Sequence, residues 1–289
     1  MLTTLKGKEI KLIALDLDGT LFLPDGTISE RNKKVIKAAT DAGIHVCLSS
    51  GRPLSGLPKE EGLSLGMEYA ITSNGSSVYR LENGSLLGET PLSPETAADL
   101  LKSLKDFQMT RDSYMEGSAR SAGDADSYMK FLSKQKLLTD GLKEYLVKTR
   151  TFVGDLINYI EEGHRHVQKF TFNFALDDNG EFIDRKEVEE ILRSRDDITV
   201  VSGGFGDLEV TAKGVDKANG IKILCDFLGI DKENVMSIGD SENDLAMIIY
   251  SGVGVAMENS EDLILENADY ITTSCKNDGV AYAIEQILP

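Results

Sequence analysis

The sequence predicts an α/β fold, a doubly wound parallel sheet interrupted by an inserted α+β domain. Three observations lead there. Short apolar runs alternate with amphipathic stretches over the first ninety residues, a different rhythm occupies the middle of the chain, and the first rhythm resumes towards the C-terminus. Regular alternation of strand and helix implies parallel strands with helices on both faces, a Rossmann-like core. The chain has 289 residues, enough for about two domains of ~150 residues each, or one large domain with an insertion.

The elements follow in order. Lys11–Leu17 reads as a buried strand stopped by Asp18-Gly19-Thr20, and Ser29 caps a helix with Val35, Ile36 and Ala39 on one face that ends at Gly43. Ile44–Ser49 is a second strand broken by Gly51-Arg52-Pro53, and Tyr69–Thr72 is a third that runs into Ser73-Asn74-Gly75. From about Pro91 to Gly206 the pattern changes to helices over Pro94–Phe107, Asp124–Leu138 and Asp184–Ser194, with period-two alternation over Val167–Ala175. From Asp207 the core rhythm is expected back, as strand Asp207–Thr211, helix Asp216–Leu228, strand Val235–Ile238 and helix Ser241–Tyr250. The expected division is therefore a discontinuous core at 1–90 and 207–289 and an inserted domain at 91–206. No internal repeat or low-complexity tract appears.

Composition excludes several classes. Apolar residues make up 41% and charged residues 27%, which is ordinary for a globular protein and rules out long disorder, collagen and a disulfide scaffold. The net charge is −17 and the isoelectric point near 4.6, so the surface repels a phosphate backbone and no nucleic-acid partner is expected. Met1–Lys11 has three lysines and no apolar run, so it does not read as a signal peptide. No stretch reaches the ~18 apolar residues of a membrane span. Cys47, Cys225 and Cys275 are odd in number and widely spaced, as core thiols of a reducing compartment would be, and a cytoplasmic location is expected. The sequence leaves the oligomeric state open.

Three local signals carry chemistry. Asp16-Leu17-Asp18-Gly19-Thr20 falls at a strand end, and the C-terminal ends of parallel strands form the binding crevice. Asp16 and Asp18 would point to opposite sides of a continuing strand, but a bend at Gly19 could turn both to one reacting atom; the plainer reading is an acidic turn. Ser49-Ser50-Gly51-Arg52 offers a hydroxyl, a backbone N–H and a guanidinium at the next strand end, a set suited to an anion although also common in turns. Gly239-Asp240-Ser241-Glu242-Asn243-Asp244 again ends a strand. Its acids suit the N-terminus of a helix, and together with Asp16 and Asp18 they would form a hard oxygen-ligand site of the kind Mg²⁺ prefers. Lys213 and Lys217, within Lys213-Gly-Val-Asp-Lys217, could each neutralise a phosphoryl oxygen.

In this order the motifs resemble the haloacid dehalogenase superfamily of aspartyl-nucleophile phosphatases, and more narrowly its Cof-type branch, subclass IIB. The resemblance spans the whole chain and includes Ser73-Asn74-Gly75 and Gly254-Val-Ala-Met257-Glu-Asn259. It implies a Mg²⁺-dependent phosphatase of small phosphorylated metabolites, sugar phosphates first, with pyridoxal phosphate and flavin mononucleotide as others; the inserted domain would be a cap that sets specificity. It implies Asp16 as the nucleophile and Asp18 as the acid that protonates the leaving alcohol and then activates water. Ser50 and Asn243 would bind phosphoryl oxygens, with Gly51, Arg52 and Asn74 around the same group. Lys217, or else Lys213, would offset transition-state charge. Mg²⁺ would be held by the Asp16 carboxylate, the Asp18 carbonyl and Asp240, and Asp244 would orient these groups or the lysine. The chain departs from the family pattern in reading Asp216-Lys217-Ala218 for the usual Ser-Lys-Gly, Glu258 for a glycine, and Ser50 for the commoner threonine.

Other readings compete. A receiver-like phosphate or metal sensor shares the acids, hydroxyl and lysine, but needs neither Asp18 nor an inserted domain of this length. A phosphomutase differs only in passing the phosphoryl group to a sugar. A dinucleotide enzyme is disfavoured, because Gly252-Val-Gly254 follows a helix and lacks the third glycine. His164-x-His166 could face a metal, but no third ligand accompanies it and surface histidines are the simpler reading.

Overall fold

The structure is a computed structural model and describes residues 9–202 and 206–288. It divides into two compact units, the first comprising residues 1–52, 57–89 and 216–289 and the second residues 53–56 and 90–215. Along the first unit run β1 (Leu12–Leu15), α1 (Glu30–Asp41), β2 (His45–Ser49), α2 (Lys59–Ser64), β3 (Tyr69–Thr72), β4 (Ser77–Arg80) and β5 (Leu86–Glu89). The second unit contributes α3 (Pro94–Ser103), β6 (Asp112–Met115), β7 (Ser118–Ser121), α4 (Ala125–Leu132), α5 (Asp140–Thr149) and β8 (Arg150–Phe152). It continues with α6 (Leu156–Glu162), β9 (Lys169–Phe172), α7 (Arg185–Arg193), β10 (Ile198–Ser202) and β11 (Leu208–Ala212). The chain then returns to the first unit through α8 (Lys217–Leu228), β12 (Val235–Gly239), α9 (Leu245–Tyr250), β13 (Val253–Ala256), α10 (Asp262–Asn267), β14 (Tyr270–Ile271) and α11 (Gly279–Glu285).

The first unit is built on an eight-stranded sheet of order β14-β13-β12-β1-β2-β3-β4-β5. Pairing is parallel from β14 to β3 and antiparallel through the β3–β4–β5 meander. Every residue of β1 and β12 is buried, as expected of strands covered on both faces. Register places Leu15 opposite both Ile238 and Leu48, so β1, β2 and β12 end level with one another. The residues that follow those three strands are therefore neighbours, although about two hundred positions separate some of them. Ser29 accepts the Asn32 N–H at 3.1 Å at the start of α1, and α1 buries Val35, Ile36 and Ala39.

The second unit is a six-stranded sheet of order β10-β11-β9-β6-β7-β8, antiparallel except for β7–β8. Its core sets Phe170, Phe172 and Val210 of the sheet against Leu100 and Leu101 of α3, Ile160 of α6, and Val188 and Leu192 of α7. Helices α4 and α5 form a smaller cluster around Tyr128, Leu132 and Leu138. That cluster is tied to the sheet by buried Asp112, whose Oδ2 accepts from Tyr128 at 2.7 Å and from Arg150 Nε at 3.1 Å.

Several elements depart from the sequence reading. The strand expected at 207–211 as the return of the core is β11, which pairs antiparallel with β9 and β10 in the second sheet; the chain re-enters the first unit at Asp216. Alternating Leu208 and Val210 suit any sheet with one apolar face, so local pattern could not say which sheet they join. The helix expected over 124–138 stops at Leu132, and a separate helix, α5, follows. The first strand ends at Leu15, where the chain turns through Leu17–Leu21 with Gly19 at φ +88°. The helix expected from Ser241 begins at Leu245, after a short turn over Glu242–Asp244. The hairpin strands β4 and β5 lay outside the sequence reading, although Asn83-Gly84 between two apolar runs is a hairpin signal, and β5 lies at the sheet edge.

Candidate active site

The site grows from the level ends of β1, β2 and β12. Asp16 leaves β1 in an extended conformation, and its N–H donates to Ile238 O of β12 at 3.0 Å. The parallel ladder thus runs on past the last strand residue and sets Asp16 beside Gly239 and Asp240. The bend at Gly19 has room for no side chain: a Cβ there would lie 2.8 Å from Asp240 Cγ, in a backbone conformation that already disfavours one. Thr20 completes the junction, its hydroxyl donating to Asp240 Oδ1 at 3.0 Å.

Lys217 is the first residue of α8, behind Asp216, whose side chain accepts the Asn219 N–H at 3.1 Å as the helix cap. Gly75 fixes where this helix begins, because a Cβ on it would come within 2.6 Å of the Asp216 carbonyl carbon. The Lys217 side chain is fully buried, and its Nζ donates to Asp16 Oδ1 and to Asp244 Oδ1, each at 2.6 Å. Asp244 Oδ2 accepts from the N–H groups of Asp240 at 2.9 Å and Ser241 at 3.1 Å. Both oxygens of Asp244 are thereby used, so it is a brace between the lysine and the Asp240 loop.

Three carboxylates against one ammonium leave the cluster electron-rich. Burial, and then the Asp244 charge, push the Asp16 carboxyl well above the usual carboxylate range. The same two causes in the same order push Asp240 up to about 7. Burial works against the charge on Lys217, but Asp16 and Asp244 outweigh it and hold the ammonium above its ordinary value. Asp16, Asp240 and Asp244 can each bring a carboxylate oxygen within 4.8 Å of the others. Among the described residues no hydrogen bond reaches Asp16 Oδ2 or Asp240 Oδ2. Two hard oxygen donors with excess negative charge fit a small divalent cation.

The remaining expected residues form a connected rim. The Ser50 carbonyl accepts from Asn74 N at 3.2 Å, Ser50 Oγ accepts from Arg52 N at 3.2 Å, and the Arg52 carbonyl accepts from Ser73 N at 3.0 Å. Gly51 lies within this bend. Asn243 Nδ2 approaches Asn74 Oδ1 at 3.5 Å, which joins the β12 loop to the β3 loop. Asp18 pairs with Arg52 and not with Lys217: its two oxygens accept from Arg52 Nε at 3.0 Å and Nη2 at 2.7 Å. Lys213 stands in the second unit beyond β11, its N–H bonded to Asp197 O, so the lysine of the Asp16 cluster is Lys217. His164 follows α6 in a left-handed turn, and among the described residues neither His164 nor His166 belongs to a group of three possible metal ligands.

Two contributors escaped the sequence reading. Thr20 stood inside a quoted motif but carried no role. Asn259 bridges two loops, its Nδ2 donating to Gly19 O and its Oδ1 accepting from Cys275 N, each at 2.9 Å. Its place in the Gly254–Asn259 motif was the available signal.

Known proteins of one class resemble this chain in sequence and fold. The family model for haloacid dehalogenase-like hydrolases matches residues 13–284. A solved haloacid dehalogenase-like hydrolase from Bacteroides thetaiotaomicron superposes with a TM-score of 0.76 at 30% identity, over 96% of this chain and 99% of that one. The 5-amino-6-(5-phospho-D-ribitylamino)uracil phosphatase YcsE of Bacillus subtilis is 32% identical, over 96% of this chain and 95% of its own length. A second Bacillus subtilis phosphatase of the same description, YwtE, is 28% identical over 96% of this chain and 98% of its own. The chain belongs to the haloacid dehalogenase-like hydrolases, in their Cof-type branch, and it is a phosphatase.

Proposed function

We propose that this phosphatase hydrolyses small phosphorylated metabolites, sugar or polyol phosphates first among them, through an aspartyl-phosphate on Asp16 and with Mg²⁺ as cofactor. The observation that carries the reading is Asp16 itself, a buried carboxylate beside Asp240 with one oxygen on Lys217 and the other, among the described residues, without a hydrogen bond. Mg²⁺ would be held by Asp16, Asp240 and the Asp18 carbonyl, and when bound it supplies positive charge that offsets the repulsion between carboxylate and phosphate.

The chain's own residues account for the rest. Asp16 attacks phosphorus as the bond to the leaving oxygen breaks. Lys217, fixed at 2.6 Å from Asp16 Oδ1, offsets charge that builds on the transferring group and needs no reorganisation to do so. Ser50 and Asn243, with Gly51 and Asn74 around them, receive the phosphoryl oxygens, while the Arg52 guanidinium is held on Asp18. Asp18 gives its proton to the leaving alkoxide, then takes one from the water that attacks the intermediate. Asp244 keeps Lys217 aimed at Asp16. The second unit we assign to leaving-group selection, as a cap. The two Bacillus relatives named for a phosphorylated ribityl compound make that polyol phosphate the first substrate to test. Buried Cys47, Cys225 and Cys275, all free thiols, support a cytoplasmic setting.

The test is phosphate release from sugar phosphates, 5-amino-6-(5-phospho-D-ribitylamino)uracil, pyridoxal phosphate and p-nitrophenyl phosphate, with Mg²⁺ and with EDTA. Turnover should need the metal and disappear in Asp16→Asn. Turnover that survives Asp16→Asn would remove the covalent route, and transfer to a sugar in place of water would make the protein a mutase.

A further inference from the structure

Arg52 stands in a motif that reads as an anion loop, yet its guanidinium is committed elsewhere. Nε and Nη2 form a two-pronged fork onto both oxygens of Asp18, at 3.0 and 2.7 Å. Asp18 needs such a partner, because it lies within the turn over Leu17–Leu21 and its side chain is 62% exposed, so by itself it would sample several rotamers. Arg52 is well placed to supply one. Its N–H is tied to Ser50 Oγ, its carbonyl to Ser73 N, and its guanidinium carbon lies 5.5 Å from the centre of the buried Phe22 ring. A planar fork on two carboxylate oxygens fixes the orientation of the carboxylate plane, which a lysine at the same place could not do.

We propose that Arg52 is a positioning residue for leaving-group protonation, acting through Asp18, an inference that rests on the reading of Asp18 as the acid and base. In the first half-reaction Asp16 bonds to phosphorus, the bond from phosphorus to the leaving oxygen breaks with its electron pair going to oxygen, and the Asp18 proton passes to that oxygen. In the second half-reaction water bonds to phosphorus, its proton goes to Asp18, and the bond between phosphorus and the Asp16 oxygen breaks. Arg52 thus holds the plane of the Asp18 carboxyl group through its fork, so that proton transfer to and from Asp18 runs along one direction.

The experiment compares p-nitrophenyl phosphate with phenyl phosphate, two leaving groups of similar size, of which the second depends more on protonation. In Arg52→Ala, kcat on phenyl phosphate should fall at least about tenfold further than kcat on p-nitrophenyl phosphate. Arg52→Lys should lose nearly as much, because charge without the fork does not orient. Asp18→Asn should show the same selective loss, and the urea midpoint of Arg52→Ala should match wild type. KM rising for both substrates with their kcat ratio unchanged would assign Arg52 to phosphate binding and overturn the proposal. So would an unchanged ratio with unchanged KM. A selective loss on phenyl phosphate in Arg52→Ala but not in Asp18→Asn would instead overturn the reading of Asp18 on which the proposal rests.

Discussion

Replacing Lys217 by methionine probes the charge balance of the site. Lys217, Asp16 and Asp244 have side-chain exposures of 0%, 8% and 0%, and the ammonium touches both carboxylates at 2.6 Å. Methionine keeps the unbranched stem and removes the charge. Breaking a buried pair by deleting one partner costs ~3–5 kcal/mol, because the remaining charge has neither water nor counter-ion. Here two carboxylates remain, and Asp16, already raised by burial and by Asp244, can relieve part of the cost by binding a proton. The expected net loss at neutral pH is about 2–4 kcal/mol, read as a lower urea midpoint. The folded variant would hold a proton that the unfolded chain releases above the ordinary carboxylate range, so its deficit should shrink as pH falls from about 8 to about 5. Adding Asp244→Asn should recover much of the stability, since asparagine keeps an acceptor for the Asp240 and Ser241 N–H groups while shedding the unpaired charge. Activity should not recover: kcat should remain down by ~10²–10³, as for loss of a charge-stabilising donor. A stability change below about 1 kcal/mol together with a rate loss under about tenfold would refute the argument, because it would place Lys217 in a solvated environment.

Three further outcomes follow from the same geometry. Gly19→Ala should raise the Mg²⁺ concentration for half-maximal phosphate release at least about tenfold, because its Cβ would meet Asp240 Cγ at 2.8 Å and turn that carboxylate away; a metal titration with unchanged midpoint would contradict this. Asp240, pushed up to about 7 by burial and then by Asp244, should make the metal-free protein lose stability as pH rises from its unfolded pKa of ~3.9 towards neutrality; saturating Mg²⁺ should flatten that slope, and thermal melts with EDTA or Mg²⁺ across this range check both statements. In the second unit, Asp112→Asn should destabilise by about 3 kcal/mol, because it leaves the buried Arg150 guanidinium without its carboxylate. Hydrogen exchange should then quicken first in α4 and α5.

What could be read from the sequence was what parallel-strand physics makes local. Leu12–Leu15 and Val235–Gly239 are continuous apolar or small-residue runs because both faces of each strand are covered, and a turn motif after such a run marks the crevice end of the sheet. From there the adjacency of Asp16 and Asp240 follows from strand register alone, with Leu15 opposite Ile238. The antiparallel strand Leu208–Ala212 was misplaced because alternation identifies a one-sided strand and says nothing of its sheet. Lys217 and Lys213 could not be separated either. A lysine is ordinarily a solvated residue, and only the start of α8, held against Gly75, drives the first of them into the interior. The partner of Arg52 was out of reach for the same reason, since a fork across 34 positions leaves no periodic trace.

The glycines show most clearly how a local motif conceals a distant cause. Asp-Gly after β1 reads as a turn, and Gly19 does adopt a turn conformation at φ +88°. Its stronger constraint comes from residue 240, whose carboxylate occupies the volume a Cβ would need. Gly239 behaves likewise, because a Cβ on it would lie 2.5 Å from Asp244 Cγ. Each glycine in the two acidic motifs therefore makes room for a carboxylate and lets it approach the backbone closely. Crowding of this kind is costly for the folded chain by itself, since it gathers three acids around one ammonium. Under the proposed function it becomes favourable when a divalent cation offsets the excess negative charge, which would give the strain of the free site and its catalytic capacity the same origin. Substitutions that relax the crowding, Asp240→Asn among them, should accordingly stabilise the metal-free protein while abolishing turnover. A variant that was both less stable without metal and still active would break that link.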